Sequence, residues 1–285
     1  MTGKDSDSVG SGRVLVALDA SSESLAVLDQ AATLAALLEA ELAAVFVEDE
    51  DLLRLSGLPF AREFSLLTGG ARVLDLATME HEMRLHAGQA RQRLTAAANR
   101  RRLRWSFQVA RGRMETELRA AARESDVLAV PKRRRFEVAT TTLCRIGHGM
   151  AESLSCSVLL AAPDQAPDDG LVAVVWDGSN TTVAALKTAA RLAAGGGGKL
   201  VVLMFAADGD EQKRLENEAL TLLGGLSIKV AFRNLPSRRT FDLPTVVAEM
   251  GVGLLVMEAD GERGVHQAKA VEDAGCAVLL VRAGR

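Results

Sequence analysis

The sequence predicts an α/β protein built as two tandem domains, each with an open, mainly parallel β-sheet. Short apolar runs rich in β-branched residues alternate with longer segments of helical periodicity, as they do in βαβ units. The second half of the chain repeats the pattern of the first, which indicates two copies of one domain. With 285 residues, 48% of them hydrophobic, the chain is long enough to bury a core in each copy.

The repeat is clearest where the two copies begin. VLVALDASSESLAVLDQAATLAALLEAELAAVFV, residues 14–47, aligns without a gap with VAVVWDGSNTTVAALKTAARLAAGGGGKLVVLMF, residues 172–205. The copies also end alike, in SCSVLLAA and GCAVLLVR, and the segment APDQAPDDG between them has the composition of a linker. We therefore predict one domain at residues 13–162 and a second, shorter one at residues 170–285.

Each copy is predicted to contain five strands separated by helices. In the first copy the strands are RVLVAL (13–18), ELAAVFV (41–47), LRWSFQV (103–109), DVLAV (126–130) and CSVLLA (156–161). In the second copy they are LVAVVW, KLVVLMF, SIKVAFRN, GLLVM and CAVLLV. A long amphipathic helix follows the second strand, with an apolar face formed by Leu76, Met79, Met83, Ala87, Ala90, Leu94 and Ala98.

Two further segments are interpreted from their composition. GGGG at Gly195–Gly198 resembles a phosphate loop, but it stands between a helix and a strand and predicts a helix stop followed by a turn. An insertion at residues 49–73 precedes the long helix of the first copy, and its Leu and Phe content predicts that it packs on another surface.

Composition and charge exclude several classes of protein. A net charge of −3 lacks the basic character of a dedicated nucleic-acid-binding protein. Three cysteines, Cys144, Cys156 and Cys276, favour reduced thiols over a disulfide framework. The polar start does not resemble a secretory signal, and no run of about 18 apolar residues predicts a membrane span. We therefore expect a cytoplasmic protein that does not contact a membrane.

Three features shared by the copies resemble the universal stress protein family in its tandem, two-domain form. The first strand ends in Asp, then Ala or Gly, then Ser; a long Ala- and Leu-rich helix follows; and a Cys-x-Val-Leu-Leu strand closes each copy. The resemblance implies a Rossmann-like sheet of the adenine nucleotide α-hydrolase kind. It also implies that the last strands, Ser157–Ala161 and Ala277–Val281, lie across an internal pseudo-dimer interface. A homodimer and a further protein partner are left open.

The family includes members that bind ATP and members that do not. In the members that bind ATP, the segment after the fourth strand has a fixed pattern: Gly, two residues, Gly, nine residues, Gly, and then Ser or Thr. The glycines let backbone N–H groups approach the phosphates. In the first copy these four positions hold Pro131, Arg134, Cys144 and Arg145. Proline removes a donor and the bulkier side chains obstruct the approach, so we predict that this loop is degenerate.

The loop of the second copy also departs from the pattern. Glu258 stands at the first glycine position, and only two residues separate Gly261 from Gly264. A carboxylate would repel a triphosphate, and the connection is too short for the motif. The prediction is therefore that neither copy binds ATP through the usual loop and that no cofactor is bound.

Asp19 and Asp177 end the first strand of each copy, beside the switch point where open parallel sheets bind ligands. In the family this Asp lies near the adenosine of ATP. The alternative is a helix-entry residue that accepts backbone N–H bonds together with Ser21 or Ser179. If ATP or AMP is bound after all, the residues expected to bind it are Asp19, Asp177, Gly178, Gly261 and Gly264.

Basic residues offer a second alternative, anion or nucleic-acid binding. Lys132, Arg133, Arg134 and Arg135 are consecutive, and nine arginines with no acid occur between Arg84 and Arg113. A solvated loop and a helix C-terminus rich in cations explain the same residues. Because few aromatic residues interleave with the arginines, nucleic acid is not the expected partner.

Catalytic and metal-binding patterns are weak. His81 and His86 are five residues apart on a helix, which does not place them on one face as metal ligands. Cys156 and Cys276 lie among apolar strand residues and are predicted to be buried structural thiols. We therefore expect a non-catalytic protein with a regulatory or protective role in a stress response, exerted through protein contacts.

Overall fold

Twelve strands and seven helices form the part of the chain that the structure, a computed structural model, describes. This part comprises residues 12–19, 22–58, 60–64, 71–73, 75–132, 154–162, 171–235, 243–259 and 274–282. The first half contains β1 (Arg13–Leu18), α1 (Ser22–Leu37), β2 (Glu41–Asp49), α2 (Glu50–Ser56), β3 (Arg62–Phe64), β4 (Ala71–Val73), α3 (Leu76–Arg100), β5 (Trp105–Gly112), α4 (Met114–Ala122), β6 (Val127–Pro131) and β7 (Ser157–Ala161). The second half contains β8 (Leu171–Val175), α5 (Asn180–Gly195), β9 (Lys199–Met204), α6 (Gly209–Leu222), β10 (Lys229–Asn234), α7 (Leu243–Glu249), β11 (Val252–Glu258) and β12 (Ala277–Val281).

Ten of the strands form one sheet in the order β10-β9-β8-β11-β12-β7-β6-β1-β2-β5. Each half contributes five strands, in the order β5-β2-β1-β6-β7 in the first half and β10-β9-β8-β11-β12 in the second. Counted along the chain, this is the third, second, first, fourth and fifth strand of each half, and all pairs within a half are parallel. The strand order reverses between the first and fourth strands, which are β1 and β6 in one half and β8 and β11 in the other. The predicted α/β class and all ten predicted strands are confirmed.

The two halves meet through their last strands. β7 and β12 pair in antiparallel fashion, with Leu159 opposite Leu279. This pairing joins two five-stranded parallel sheets into one continuous sheet. Because the central pairing is antiparallel and all the others are parallel, a pseudo-twofold axis relates the two halves.

Each face of the sheet is covered by a layer of helices. α1, α3, α5 and α6 bury one face, and their core continues from one half into the other because α1 packs against α5. α4 and α7 bury the opposite face. Strands buried on both sides explain why nearly continuous apolar runs predicted them correctly.

The predicted apolar face of α3 is buried from Met83 to Ala98, whereas Leu76 in the first turn is 40% exposed. A helix of 25 residues is about 37 Å long, and the eight-residue strand β5 beside it is about 26 Å long. The helix is longer than the strand it packs against, so its first turn is not covered.

Two smaller predictions are also confirmed. α5 ends at Gly195, and Gly197 and Gly198 have left-handed φ angles of 105° and 75°, as a helix stop and turn require. Within the insertion, α2 packs against α3, β2 and β5 and buries Leu53. In the part of the chain that the structure describes, no helix combines the length and the apolar character that crossing a membrane would require.

Candidate functional site

The candidate site of each half lies at the carboxyl ends of its first and fourth strands. Parallel α/β sheets bind ligands there because the strand order reverses and leaves a crevice. Asp19 follows β1 directly, and Asp177 follows β8 after a single residue. The segments after β6 and β11, where the family places its phosphate loop, begin at the same two crevices.

In the second half, the carboxylate of Asp177 is bound to the start of α5. Its Oδ1 accepts a hydrogen bond from the backbone N–H of Ser179 at 3.0 Å and another from the hydroxyl of Thr182, also at 3.0 Å. Thr182 is buried in the first turn of the helix. In this geometry Asp177 stabilises the entry to α5 and holds the turn between strand and helix in one conformation.

In the first half, a serine hydroxyl contacts backbone atoms of the corresponding aspartate. The buried Ser24 hydroxyl lies 3.2 Å from the carbonyl oxygen of Asp19 and 3.3 Å from its backbone nitrogen. Ser24 follows Asp19 by five residues, as Thr182 follows Asp177. Sequence reasoning missed both hydroxyls, although their common offset in the repeat was a usable signal. Ser21, the capping residue considered for this half, lies outside the described residues.

Gly178 lies where helix α6 passes close to the turn after β8. Its φ is 79°, and a Cβ atom there would be 2.8 Å from Cδ2 of Leu215. Trp176, which is buried, donates a hydrogen bond from its indole N–H to the carbonyl oxygen of Leu215 at 3.1 Å. The left-handed backbone conformation therefore favours glycine at this position, and a larger residue would also require the Leu215 side chain to shift.

After β6, the residue that begins the basic run is bound to the other half of the molecule. The backbone N–H of Lys132 donates to the carbonyl of Ala161 at 2.8 Å. Its side chain is only 7% exposed, and Nζ donates to the carbonyl oxygens of Ala274 and Cys276, the latter at 3.2 Å. The interpretation of this run as a solvated loop is therefore wrong for Lys132, because the ammonium group is buried between the halves.

The remaining residues of the first copy's loop fall in a gap of the described chain. Arg133, Arg134, Arg135, Cys144 and Arg145 lie outside the described residues, so their predicted roles stay predictions. Pro131 is the last residue of β6 and is described. It has no backbone N–H with which to bind a phosphate.

After β11 in the second half, different residues occupy the positions that correspond to Pro131 and Lys132. Glu258 ends β11 with a side chain only 5% exposed, and the backbone N–H of Ala259 donates to the carbonyl of Val281 at 2.8 Å. Glu258 and Ala259 thus occupy the places of Pro131 and Lys132. Gly261 and Gly264 lie outside the described residues.

The two described cysteines are buried and free, as the sequence predicts. Burial raises the pKa of the Cys156 thiol, and it raises the pKa of Cys276 to about 11 although the charge of Lys132 opposes the shift. Both thiols are therefore held in the protonated form, which is a poor nucleophile. Among the residues that the structure describes, no group of three or more His, Cys, Asp or Glu side chains has the arrangement of a metal site.

The arginines between Arg84 and Arg113 fall into two groups. Four bind other side chains: Arg100 pairs with Asp29, Arg101 donates to Thr33, Arg111 lies 3.0 Å from Glu80, and Arg113 lies 3.8 Å from Asp51. The other five are exposed and have no carboxylate partner within the described residues: Arg84, Arg91, Arg93, Arg102 and Arg104. The sequence predicted the density of arginines, but only the structure shows which of them are neutralised.

Comparison with known proteins relates this architecture to solved structures. No protein-family model matches the sequence, and no curated protein matches it. A universal stress protein from Archaeoglobus fulgidus DSM 4304 superposes with a TM-score of 0.70 at 16% identity, over 96% of this chain and 97% of that chain.

Two proteins from Pseudomonas aeruginosa are also similar. One, from strain UCBPP-PA14 and described as a candidate universal stress protein, has a TM-score of 0.58 at 12% identity over 95% of this chain and 93% of that chain. The other, a functionally unknown protein from strain PAO1, has a TM-score of 0.57 at 12% identity over 95% of this chain and 92% of that chain. The chain therefore has the fold of the universal stress protein structures over nearly its whole length, and the predicted fold is confirmed.

Proposed function

We propose that this chain is a non-catalytic, universal stress protein-like regulatory protein whose two ATP-binding loops are both degenerate. It acts through contacts with other proteins rather than through a bound nucleotide. The fold shared with a universal stress protein over 96% of the chain supports the family part of the proposal. Fold alone does not define an activity, and the residues at the two crevices support the absence of ATP binding.

The observation that carries the proposal is the position of Lys132. In members that bind ATP, the segment after the fourth strand surrounds the phosphates with backbone N–H groups. Here Pro131 has no N–H, the N–H of Lys132 donates to Ala161, and the Lys132 ammonium donates to Ala274 and Cys276 of the other half. The start of the segment is thus bound to protein groups where a nucleotide would need donors.

The second half supports the same conclusion by a different route. Glu258 places a buried carboxyl side chain where the motif requires glycine, so the backbone there lacks the open approach that glycine would give a phosphate. Asp177 is bound to the first turn of α5, and Leu215 lies against Gly178. Protein groups therefore occupy positions that an adenosine would have to approach.

The paired last strands suit a protein that acts as an internal dimer. β7 and β12 form the junction, and the backbone N–H of Arg282 donates to the Ser157 hydroxyl across it at 3.3 Å. Lys132 adds a buried polar connection on the same junction. A single chain then presents the two-domain surface for which single-domain relatives would need two chains. We place its action in the cytoplasm.

Thermal unfolding of the full chain with ATP or AMP and Mg²⁺ tests the proposal. A ligand at 100 times its Kd stabilises a protein by about 2.7 kcal/mol, so a nucleotide-binding protein would show a rise in Tm of several degrees. We expect no rise with either nucleotide up to millimolar concentration. A saturable rise would support the alternative, a nucleotide-binding protein that uses the first-strand aspartates. The matched variant is Asp177→Asn, which would abolish that rise if the aspartate contacts the nucleotide.

A further inference from the structure

β5 is one edge of the ten-stranded sheet and pairs with β2 alone within the described chain. The N–H of Leu42 donates to the carbonyl of Arg104 at 2.9 Å, which sets the direction of the backbone groups. Because these groups alternate along a parallel strand, Ser106, Gln108 and Ala110 also point toward β2. The N–H and C=O groups of four residues then point away from the sheet: Trp105, Phe107, Val109 and Arg111.

The side chains of those four residues face α3. Trp105 and Phe107 pack against the core beneath α3, whereas Val109 is 47% exposed. Arg111 forms an ion pair with Glu80 of α3 at 3.0 Å. This ion pair identifies the flank of α3 that borders the open edge of β5.

A row of arginines continues along that flank. Arg84 and Arg91 follow Glu80 by four and eleven residues, which places both within about 40° of Glu80 around the helix axis. Both are exposed and neither has a carboxylate partner in the described chain. Arg102 and Arg104, also exposed, extend the positive charge into the connection between α3 and β5. We call this surface, Arg84, Arg91, Arg102, Arg104 and the outer edge of β5, the basic edge.

We propose that the basic edge binds an extended acidic segment of a partner protein, which pairs with β5 as an additional strand. The backbone groups of β5 that point outward supply strand hydrogen bonds, as in other complexes formed by strand addition. Because side chains alternate between the two faces of a strand, carboxylates at every second position of the partner face α3. These carboxylates then reach Arg84 and Arg91. The inference deepens the proposed function, because it names the chemistry of the protein contact on which that function rests.

Charge argues against a second copy as the occupant, and the burial of the aromatic rings argues against single-stranded nucleic acid. A second copy pairing edge to edge would bring like arginines together, since each edge presents the same unneutralised charges. Single-stranded nucleic acid would find no fully exposed rings for stacking on β5, because its two aromatic residues are partly buried against the core. The opposite edge of the sheet differs, because its charge is mixed: α6 carries Asp210, Glu211, Glu216 and Glu218 together with Lys213 and Arg214, and Arg214 pairs with Glu218 at 2.7 Å.

Fluorescence anisotropy with three labelled probes tests the proposal on the full chain. The probes are an eight-residue peptide of alternating Thr and Glu, matching the length of β5, the same peptide with Lys in place of Glu, and a single-stranded DNA oligonucleotide. We expect the acidic peptide to bind and the lysine peptide not to bind. Hydrogen exchange should show new protection of the amides at 105, 107, 109 and 111. Absence of binding, tighter binding of DNA, or binding without this protection would overturn the proposal.

Matched variants distinguish binding at the basic edge from general electrostatic attraction of the peptide to the protein. Reversing two charges in Arg84→Glu with Arg91→Glu should weaken peptide binding by roughly tenfold or more. The control, Arg123→Glu with Arg233→Glu, reverses two exposed arginines away from the basic edge and should retain binding near that of the unmodified chain. Val109→Pro removes one outward N–H that the sheet does not use, so it should weaken binding while the protein stays folded. Equal effects of both double variants would contradict the proposal, whatever the outcome of the ATP titration.

Discussion

The Nζ atom of Lys132, at the end of β6, donates a hydrogen bond to the carbonyl oxygen of Cys276, 3.2 Å away in the other half of the molecule. The two residues are 144 positions apart in the chain. A second bond to the Ala274 carbonyl makes Lys132 a buried connection between the halves. The first residue after β6 therefore connects the two halves of the molecule.

Lys132→Met should destabilise the protein, because it leaves two carbonyl groups in a buried region without their donor. We expect a loss of about 1–3 kcal/mol in the free energy of unfolding, measured by urea denaturation. Lys187→Met is the matched control, since Lys187 is exposed on α5 and should change stability by less than about 0.5 kcal/mol. Equal stability of the two variants would show that the connection is not energetically important.

Stability should fall at alkaline pH because of Cys276. Its folded-state pKa is raised from 9.0 to about 11, so the folded protein keeps a proton that the unfolded chain loses. The resulting stabilisation is fully present below pH 9 and is lost as the pH rises from 9 to 11, with a magnitude on the order of 2 kcal/mol. Cys276→Ala should therefore show a shallower decline in urea stability between pH 8 and 10.5. An unchanged slope would contradict the assignment to this thiol.

Gly178→Ala should destabilise the second half. The residue has a φ of 79°, which strains any residue with a Cβ, and the Leu215 side chain would have to shift away from the new methyl group. A loss of about 1–3 kcal/mol is expected from thermal or urea unfolding. Gly209→Ala provides the comparison, because Gly209 begins α6 with no atom within 4 Å of an added Cβ and should be neutral or slightly stabilising.

Thr182→Val tests the role of Asp177 at the start of α5. The substitution preserves the shape of the buried side chain and removes the hydroxyl that donates to Asp177. We expect a loss of about 1 kcal/mol or slightly more in the free energy of unfolding. Thr181→Val removes a hydroxyl from an exposed neighbour in the same helical turn and should cost less than half as much. The opposite ranking would mean that the Asp177 contact does not stabilise the helix entry.

Much of the fold could be predicted because its signals are local. The eight inner strands were visible as apolar runs, since strands covered on both faces need apolar residues at nearly every position, whereas the edge strands β5 and β10 are more polar and more exposed. The buried stripe of α3 followed from helical periodicity between Met83 and Ala98. Strand ends were less predictable: β5 runs to Gly112, past the predicted end at Val109, because β2 continues beside it and supplies hydrogen bonds.

The candidate site could be predicted only in part. The sequence located Asp19 and Asp177 at the carboxyl ends of their strands and drew attention to the basic run after β6. It did not reveal that α6 closes against Gly178, because Leu215 is distant in sequence and has no motif that links the two. The roles of Ser24 and Thr182 also appeared only when their hydroxyls were seen beside the aspartates.

The sequence by itself determined that this protein has two related α/β halves and that Pro131 and Glu258 stand at corresponding positions in them, because residue identity, periodicity and repetition are properties of the chain alone. Only the tertiary structure determined which charged side chains are buried, which are paired and which are exposed. It buries Lys132 against carbonyl groups 142 and 144 residues away, neutralises Arg100 and Arg111, and leaves Arg84 and Arg91 exposed beside an open strand. Such outcomes depend on distances between segments that are remote in sequence, and packing of the whole chain sets those distances.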